Sequence, residues 1–147
     1  MALVNNQKAY DQYLLSEHGA GNSLVWGEPI GFHFQIRIPN FRGNYLSCVE
    51  ELKFTLDGKE IEEKDISMLL NEKRFGISEL PQMYKEYWNV DDQAVIEVLR
   101  EGGLTGRHKI GVCMRLRYGY SAYFGKCKVV TSKCQKELTF EKEGNDR

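Results

Sequence analysis

The side chains that could do chemistry are few in this chain, and they do not form a catalytic pattern. Its three histidines, His18, His33 and His108, lie far apart, and none belongs to an HExxH motif or to another zinc-ligand spacing. There is no GxSxG nucleophile motif. The glycine-rich stretch 102–106 lacks the GK[ST] ending of a phosphate-binding loop. The residues alone therefore predict no self-contained active site.

The cysteines and the first residues indicate in which cellular compartment the protein works. Cys48, Cys113, Cys127 and Cys134 form no CxxC pair, so neither a zinc site nor a redox motif is indicated. We interpret them as small buried or half-buried side chains with reduced thiols. The first 15 residues lack a signal-peptide pattern, and no apolar run reaches the roughly 20 residues that a membrane helix needs. These observations predict a cytoplasmic protein that does not bind membranes.

Length and charge narrow the class of protein further. The 147 residues are 41% hydrophobic and 28% charged, which is typical of one soluble domain with its own core. A net charge of −1 argues against a nucleic-acid partner. Charge is nevertheless uneven, because residues 107–136 hold lysine and arginine but no acid. We interpret this basic stretch as a solvated edge, with a partner-binding face as the alternative.

Alternation of apolar and polar residues predicts an all-β protein, an antiparallel β-sandwich with short helices or none. Asp57-Gly58 is typical of a two-residue turn between two strands of a hairpin. Helical turns are predicted only within 9–17 and 79–88. The apolar residues of segment 73–88 fit neither the helical nor the strand period. The predicted strands are 23–26, 32–38, 51–56, 59–61, 66–71, 93–99, 109–118, 127–131 and 137–140.

The domain division follows from these elements. We predict an N-terminal extension at 1–22 that is mobile or dependent on a partner, a single β-sandwich domain at 23–140, and a disordered tail at 141–147.

Two aromatic-rich stretches are candidate contact surfaces. The loop 40–45 holds Phe41, Arg42 and Tyr45, and aromatic and arginine side chains on a solvated loop indicate an interface. The alternative is that both rings fold back onto the core. The second stretch supplies Tyr84, Tyr87 and Trp88. These rings form either core under a long loop or an exposed platform for a sugar ring or a partner.

Two segments carry a resemblance to a known family. GFHFQIRIPNFRGNYLSCVEELKFTLDGKEI, residues 31–61, resembles the opening of the small β subunit of C-glycoside deglycosidases (C-deglycosylation enzymes). The shared order is an aromatic strand, a proline, an aromatic-Arg-Gly loop, a Leu-Ser, an acidic strand and an Asp-Gly hairpin. GGLTGRHKIGVCMRLRYGY, residues 102–120, resembles the glycine turn, histidine and long strand of that family. The likeness spans about residues 23–140, and it is less clear in 74–88.

The resemblance implies one chain of a two-subunit lyase. The partner would be a TIM-barrel α subunit, similar to sugar isomerases, that holds a divalent metal such as manganese. The substrate would be a 3-oxo-glucosyl unit joined through carbon to a flavonoid-type aglycone. A base would remove the C2 hydrogen beside the polarised ketone, and the aromatic carbon would then leave C1. This chain would hold no catalytic residue, no metal and no cofactor.

The resemblance also directs the choice of site residues toward contact with the α subunit or closure over its substrate. The candidates are Phe41, Arg42, Tyr45, Tyr84, Tyr87, Trp88 and His108. Two other classes stay open, a free-standing carbohydrate-binding module that uses the aromatic side chains of 84–88 and an adaptor domain without any link to sugars. A neighbouring gene for a sugar-isomerase-like barrel would favour the enzyme.

Overall fold

Antiparallel strands make up most of the computed structural model, which describes residues 6–118 and 128–141. One short helix, α1, spans Asn6–Asp11, and 3₁₀ helices span Leu46–Cys48, Glu63–Asp65 and Ile77–Gln82. The strands are β1 (Gly21–Val25), β2 (Glu28–Ile36), β3 (Asn44–Tyr45), β4 (Val49–Leu56), β5 (Lys59–Glu60), β6 (Ile66–Leu70), β7 (Lys73–Gly76), β8 (Tyr87–Trp88), β9 (Ala94–Leu99), β10 (Gly106–Tyr118) and β11 (Lys128–Phe140). Within the described part of the chain, no helix has the length and apolar character to cross a bilayer.

Two sheets face each other across the core. The larger has the order β1-β2-β9-β6-β7 and the smaller the order β11-β10-β4-β5, while β3 and β8 form a separate two-stranded ribbon. Phe32 and Phe34 project from β2 and meet Phe140 and Phe54 of the smaller sheet, with ring centroids 5.6 and 5.5 Å apart. All four rings are buried. The predicted antiparallel β-sandwich is therefore confirmed.

The strongest sequence pattern, that of β10, is reproduced in the structure. Its apolar residues all lie in the core, because β10 is paired on both sides, with β4 and with β11. The Asp57-Gly58 turn also forms as predicted, with φ of 51° and 89° at its two central residues. The buried residues of β10 are Ile110, Val112, Met114, Leu116 and Tyr118.

Several element predictions need correction. The strands predicted at 127–131 and 137–140 form one continuous strand, β11, although residue 127 lies outside the described part. As an edge strand, β11 pairs only with β10, so solvent reaches it and its apolar alternation is weak. Residues 73–76 form β7, joined to β6 by a turn at Asn71 and Glu72. Both turn residues have positive φ without being glycine, so the sequence carries no strong turn signal there.

The helical predictions are shifted along the chain. The turn expected within 79–88 is the 3₁₀ helix Ile77–Gln82, and the helix expected within 9–17 begins earlier, at Asn6. Residues 1–5, 119–127 and 142–147 lie outside the part of the chain that the structure describes. Most of the predicted tail at 141–147 falls there.

Residues 12–22 pack onto the sandwich. Leu14 and Leu15 are fully buried, and Leu15 forms an isolated bridge with Ile36. Lys136 Nζ donates to the carbonyl oxygens of Gln12 and Leu15 over 2.8 and 2.7 Å. Two core leucines thus come from before residue 23, while the mobility of 1–22 and the predicted domain boundaries stay predictions.

The sandwich has two ends, which the strand β10 connects. What we call the loop end gathers the connections 37–48 and 84–93, and the hairpin end gathers the turns at 26–27, 57–58 and 100–105. His108 lies near the hairpin end of β10, and Arg117 lies at the loop end, where its carbonyl accepts a hydrogen bond from Asn44. At about 3.3 Å per residue, these two positions are about 30 Å apart.

Candidate partner-binding site

The two-stranded ribbon at the loop end carries three of the predicted contact residues. Tyr45 of β3 lies opposite Tyr87 of β8, and Asn44 lies opposite Trp88. Because successive side chains of a strand point to opposite faces, the two tyrosines share one face, and Asn44 and Trp88 share the other. The tyrosine face is exposed and the other face is buried. The ribbon is therefore amphipathic across its thickness.

The buried face fixes the ribbon to the sandwich. Trp88 is fully buried, and its indole Nε1 donates to the Asp92 carbonyl oxygen over 2.9 Å. Asn44 Nδ2 donates to the Arg117 carbonyl oxygen over 2.9 Å, and its Oδ1 accepts from the backbone N–H of Tyr45. Trp88 is thus a core residue, as one of the two interpretations held. Its ring is not available for contact with a partner.

The exposed face presents aromatic rings to solvent. Tyr45 and Tyr87 are 46% and 37% exposed, and their rings meet edge to face with centroids 5.0 Å apart. Phe41 is 62% exposed and does not fold back onto the core, and Arg42 is exposed beside it. Tyr84 is exposed as well. We call these five residues the aromatic surface.

Gly43 explains how the loop and the ribbon come together. A Cβ atom at this position would lie 2.3 Å from the Trp88 carbonyl oxygen and 3.0 Å from the Tyr87 ring. Only glycine lets the loop pass so close to β8. The loop therefore holds Phe41 and Arg42 beside the two tyrosines.

The turn between β6 and β7 braces β8 from outside. Asn71 Nδ2 donates to the Tyr87 carbonyl oxygen over 3.0 Å, and the Glu86 carbonyl oxygen accepts from the backbone N–H of Leu46 over 2.9 Å. Hydrogen bonds from Lys73 and Asn71 lower the pKa of the Glu86 carboxyl group. Such exposed contacts add little stability, but they restrict where the ribbon can lie.

His108 is the one predicted site residue at the opposite end. Its Nδ1 lies 2.7 Å from Asp57 Oδ2, and its Nε2 lies 3.0 Å from the Thr105 carbonyl oxygen. The hydrogen bond with His108 and a second one from the Lys109 backbone lower the pKa of Asp57. The imidazole thus links the glycine turn to the β4–β5 turn. The structure does not bring it near the aromatic surface.

His33, on the polar face of β2, belongs to a row of polar side chains across the larger sheet. Its Nδ1 lies 3.1 Å from Ser23 Oγ, and Arg74 Nη1 donates to Glu97 over 2.6 Å. Burial raises the pKa of Glu97, but hydrogen bonds from Ser23 and Arg74 outweigh it and leave the pKa lowered. Such cross-strand pairs are a structural feature of sheets.

Three arginines of the basic stretch, Arg107, Arg115 and Arg117, are paired with glutamates of neighbouring strands. Arg115 and Arg117 of β10 donate to Glu51 and Glu50 of the neighbouring strand β4, each over 2.7 Å. This pairing agrees with a solvated edge. Within residues 6–118 and 128–141, no three His, Cys, Asp or Glu side chains lie close enough together to hold a metal ion.

The sequence of this chain matches that of a known protein family. The model of the C-glycoside deglycosidase beta subunit family matches residues 10–120. The chain belongs to this family. The matched span includes the ribbon, the whole aromatic surface and His108, and the resemblance noted in the sequence is confirmed.

Three relatives show how far the likeness reaches. The C-glycoside deglycosidase beta subunit of Eubacterium cellulosolvens is 33% identical over 95 residues, which are 63% of this chain and 65% of the relative. The 3′-dehydrocarminate deglycosidase beta subunit of a Microbacterium species is 29% identical over 120 residues, 80% of this chain and 88% of that one. The C-glycoside deglycosidase beta subunit of Arthrobacter globiformis is 28% identical over 72 residues, 49% of this chain and 54% of the relative. The chain thus spans slightly less than two thirds of the first relative.

Sequence reasoning missed one exposed residue. Trp26 was assigned to the end of a strand at 23–26, but it occupies the tip of the β1–β2 hairpin and is 98% exposed. The available signal was the glycine that follows it, since a turn with two positive φ values favours glycine at its second central position.

Proposed function

We propose that this chain is the non-catalytic β subunit of a C-glycoside deglycosidase that cleaves a carbon–carbon bond. Its partner is a TIM-barrel α subunit that releases a flavonoid-type aglycone from a 3-oxo-C-glucoside. Family membership over residues 10–120 is the observation that supports this enzyme class. The name of the Microbacterium relative, which denotes a 3′-dehydro substrate, supports an oxidised sugar.

The proposed reaction is an elimination. A proton leaves C2 of the sugar, its electron pair forms a C1=C2 double bond, the bond from C1 to the aglycone breaks, and the aglycone carbon keeps that bond's electron pair and takes a proton, so no water is consumed. A divalent metal such as manganese, which we assign to the α subunit, supplies the polarisation of the 3-ketone that makes the C2 hydrogen acidic. This chain holds parts of the α subunit in position and takes no part in the chemical steps.

The aromatic surface is the part of this chain that we assign to the α subunit. Large exposed rings and an arginine are the side chains that most often dominate the energy of protein interfaces. Because Trp88 and Asn44 hold the ribbon in place, its backbone has little freedom left to lose on binding. We expect the surface to lie against loops at the mouth of the α-subunit active site and to hold them in place.

Co-expression with a candidate α subunit tests this proposal. The double variant Arg42→Ala/Tyr45→Ala should weaken α-subunit binding by at least about 30-fold, as expected for loss of interface anchors. Turnover of 3-oxo-C-glucosides should fall with it, while the melting temperature of the isolated chain barely moves because both side chains are exposed.

The matched control is Leu99→Ala/Arg107→Ala, which removes one apolar side chain and one arginine from exposed positions at the hairpin end. It should bind the α subunit normally. A loop-end double variant that assembles and turns over like the unmodified chain would remove the aromatic surface from the interface. Binding of the sugar by the isolated chain would favour the carbohydrate-binding alternative.

A further inference from the structure

The β1–β2 hairpin ends in an exposed tryptophan. Trp26 and Gly27 are the two central residues of its turn, with φ of 53° and 82°. The Trp26 side chain is 98% exposed, and Leu24 and Val25 before it are also among the exposed large hydrophobic side chains. We call residues 24–29 the arm.

The arm projects beyond the rest of the larger sheet. Strand β9 pairs with β2 only from Gly31 to Ile36, whereas β1 pairs with β2 as far as Glu28. The connection after β9 bonds to the base of the arm, because the backbone N–H groups of Arg100 and Gly102 donate to the carbonyl oxygens of Ile30 and Pro29. Past Pro29 the tip extends by roughly 7 Å, at about 3.3 Å per residue, and Trp26 there is almost fully exposed.

No contact within residues 6–118 and 128–141 accounts for tryptophan at this position, where the side chain is 98% exposed. Turns of this kind favour asparagine or aspartate before the glycine, and a bulky residue with positive φ is strained. A Cβ atom built on Gly27 would meet nothing within 4 Å, so the tip is open on that side. Trp26 thus combines backbone strain with an apolar ring in water.

A groove at the same end offers a place for such a ring. It measures about 500 Å³ and lies between the end of β9 and the β4–β5 hairpin. Its apolar lining comes from both sheets and is formed by Phe32, Leu56, Ile61 and Val98. Its rim is mainly acidic, with Asp57, Glu60, Glu62 and Asp65 beside Lys59 and Arg100.

We propose that the arm of one copy of this chain inserts Trp26 into the groove of a second copy, and that the exchange is reciprocal. A two-fold interface requires a projection and a matching cavity on the same patch of one subunit, and the hairpin end carries both. The indole ring covers the apolar lining, and its N–H can donate to a rim carboxylate. The loop end remains free, so the dimer goes beyond the proposed function and does not depend on it.

The test begins with sedimentation equilibrium of the purified chain. The unmodified chain should form dimers that dissociate on dilution. Trp26→Asn, which places a residue that the turn favours at the tip, should weaken the dimer at least tenfold without lowering thermal stability. Ile61→Arg should weaken the dimer from the groove side, and its melting temperature is measured alongside because Ile61 is half-buried against the core. Val129→Ala, which shortens an exposed side chain at the far end of β11, is the control and should dimerise normally.

Mixing the two variants separates this contact from a general loss of structure. The Trp26→Asn chain keeps an intact groove and the Ile61→Arg chain keeps an intact arm, so their mixture should regain one of the two contacts and form dimers more readily than either chain alone. Tryptophan fluorescence gives a second readout, because the only other tryptophan, Trp88, is buried. The emission maximum should move to longer wavelength when the unmodified dimer is diluted.

Three results would overturn the proposal. They are a chain that stays monomeric at all concentrations, an unchanged dimer affinity in Trp26→Asn, and no gain on mixing the two variants. Loss of α-subunit binding in Trp26→Asn, with a chain that is monomeric alone, would assign the arm to the α subunit instead. The variant Arg42→Ala/Tyr45→Ala should still dimerise, so a failure of the proposed function leaves a different signature.

Discussion

The two ends of the sandwich both expose aromatic side chains, but they hold them in different ways. At the loop end, the exposed tyrosines sit on a ribbon whose other face is anchored by Trp88 and Asn44. At the hairpin end, Trp26 sits at the tip of an arm whose base is held by backbone hydrogen bonds from Arg100 and Gly102, while its own side chain is 98% exposed. The chain therefore has one tryptophan fully buried and one almost fully exposed. Residue type alone does not determine which tryptophan is buried, because the exposure of each depends on strand register and on its position in a turn.

This contrast separates two kinds of contact. A ribbon that is fixed before binding can hold a partner's loops in one place, which suits support of an active site. A projecting arm can adjust its direction as it enters a cavity, which suits assembly of subunits. The difference can be tested by changes that affect one end and spare the other.

The largest expected effect is that of Trp88→Ala at the loop end. Removing a fully buried aromatic side chain should lower the free energy of unfolding by about 3–5 kcal/mol, and it also leaves the Asp92 carbonyl without its donor. Urea unfolding measures the loss. The corresponding truncation Trp26→Ala should change stability by about 0.5 kcal/mol or less, as surface substitutions do. Similar losses at both ends would refute the assignment of Trp88 as anchor.

A smaller effect should separate two glycines. Gly43→Ala places a Cβ atom 2.3 Å from the Trp88 carbonyl oxygen, so the loop or the ribbon must move. We expect a loss of about 1–3 kcal/mol together with weaker α-subunit binding. Gly27→Ala enters open space, and its cost of about 1 kcal/mol comes only from its positive φ. Thermal unfolding compares the two variants, and a normal α-subunit affinity in Gly43→Ala would contradict a fixed ribbon.

The smallest effect is a pH dependence at the hairpin end. Hydrogen bonds from His108 and Lys109 lower the pKa of Asp57 in the folded chain. The folded state therefore binds this proton more weakly than the unfolded state, so the contribution of Asp57 is present above the unfolded pKa of about 4 and is lost as the pH falls through the folded pKa. Asp57→Asn should flatten the decline of melting temperature in this acidic range.

Asp91→Asn is the matched control at the loop end, because the Asp91 side chain is 92% exposed and its carboxylate lies as far as 3.9 Å from its partner, Arg37 Nη2. It should leave the acid profile unchanged. If both variants behave alike, the link between Asp57 and His108 does not contribute to stability in solution.

The sequence predicted best those parts of the fold in which neighbouring residues determine the outcome. The alternation in β10 identified the buried side chains of that strand, and Asp57-Gly58 identified the turn between β4 and β5. Both patterns depend only on residues that are close in the sequence. The continuity of β11 and the burial of Leu14 and Leu15 depend on contacts with distant strands. No local period reveals such contacts.

The candidate site shows the same limit. The exposure of Phe41 and Tyr45 was correctly expected from a loop rich in aromatic residues. The burial of Trp88 could not be separated from the exposure of Tyr87, because it depends on which face of the ribbon turns inward. His108 was grouped with these residues only through the family resemblance, and the length of β10 places it at the other end.

Lys136 also determines when the chain can complete its fold. Its ammonium group holds the carbonyl oxygens of Gln12 and Leu15, residues that lie 124 and 121 positions earlier in the sequence. During synthesis, residues 14–16 can already pair with residues 35–37, but the two bonds from Lys136 form only after residue 136 has left the ribosome. Contacts of such long sequence separation slow folding and leave apolar side chains open to aggregation in the meantime. We therefore expect a slower final step in refolding that joins residues 12–15 to β11, and Lys136→Ala should selectively weaken this step.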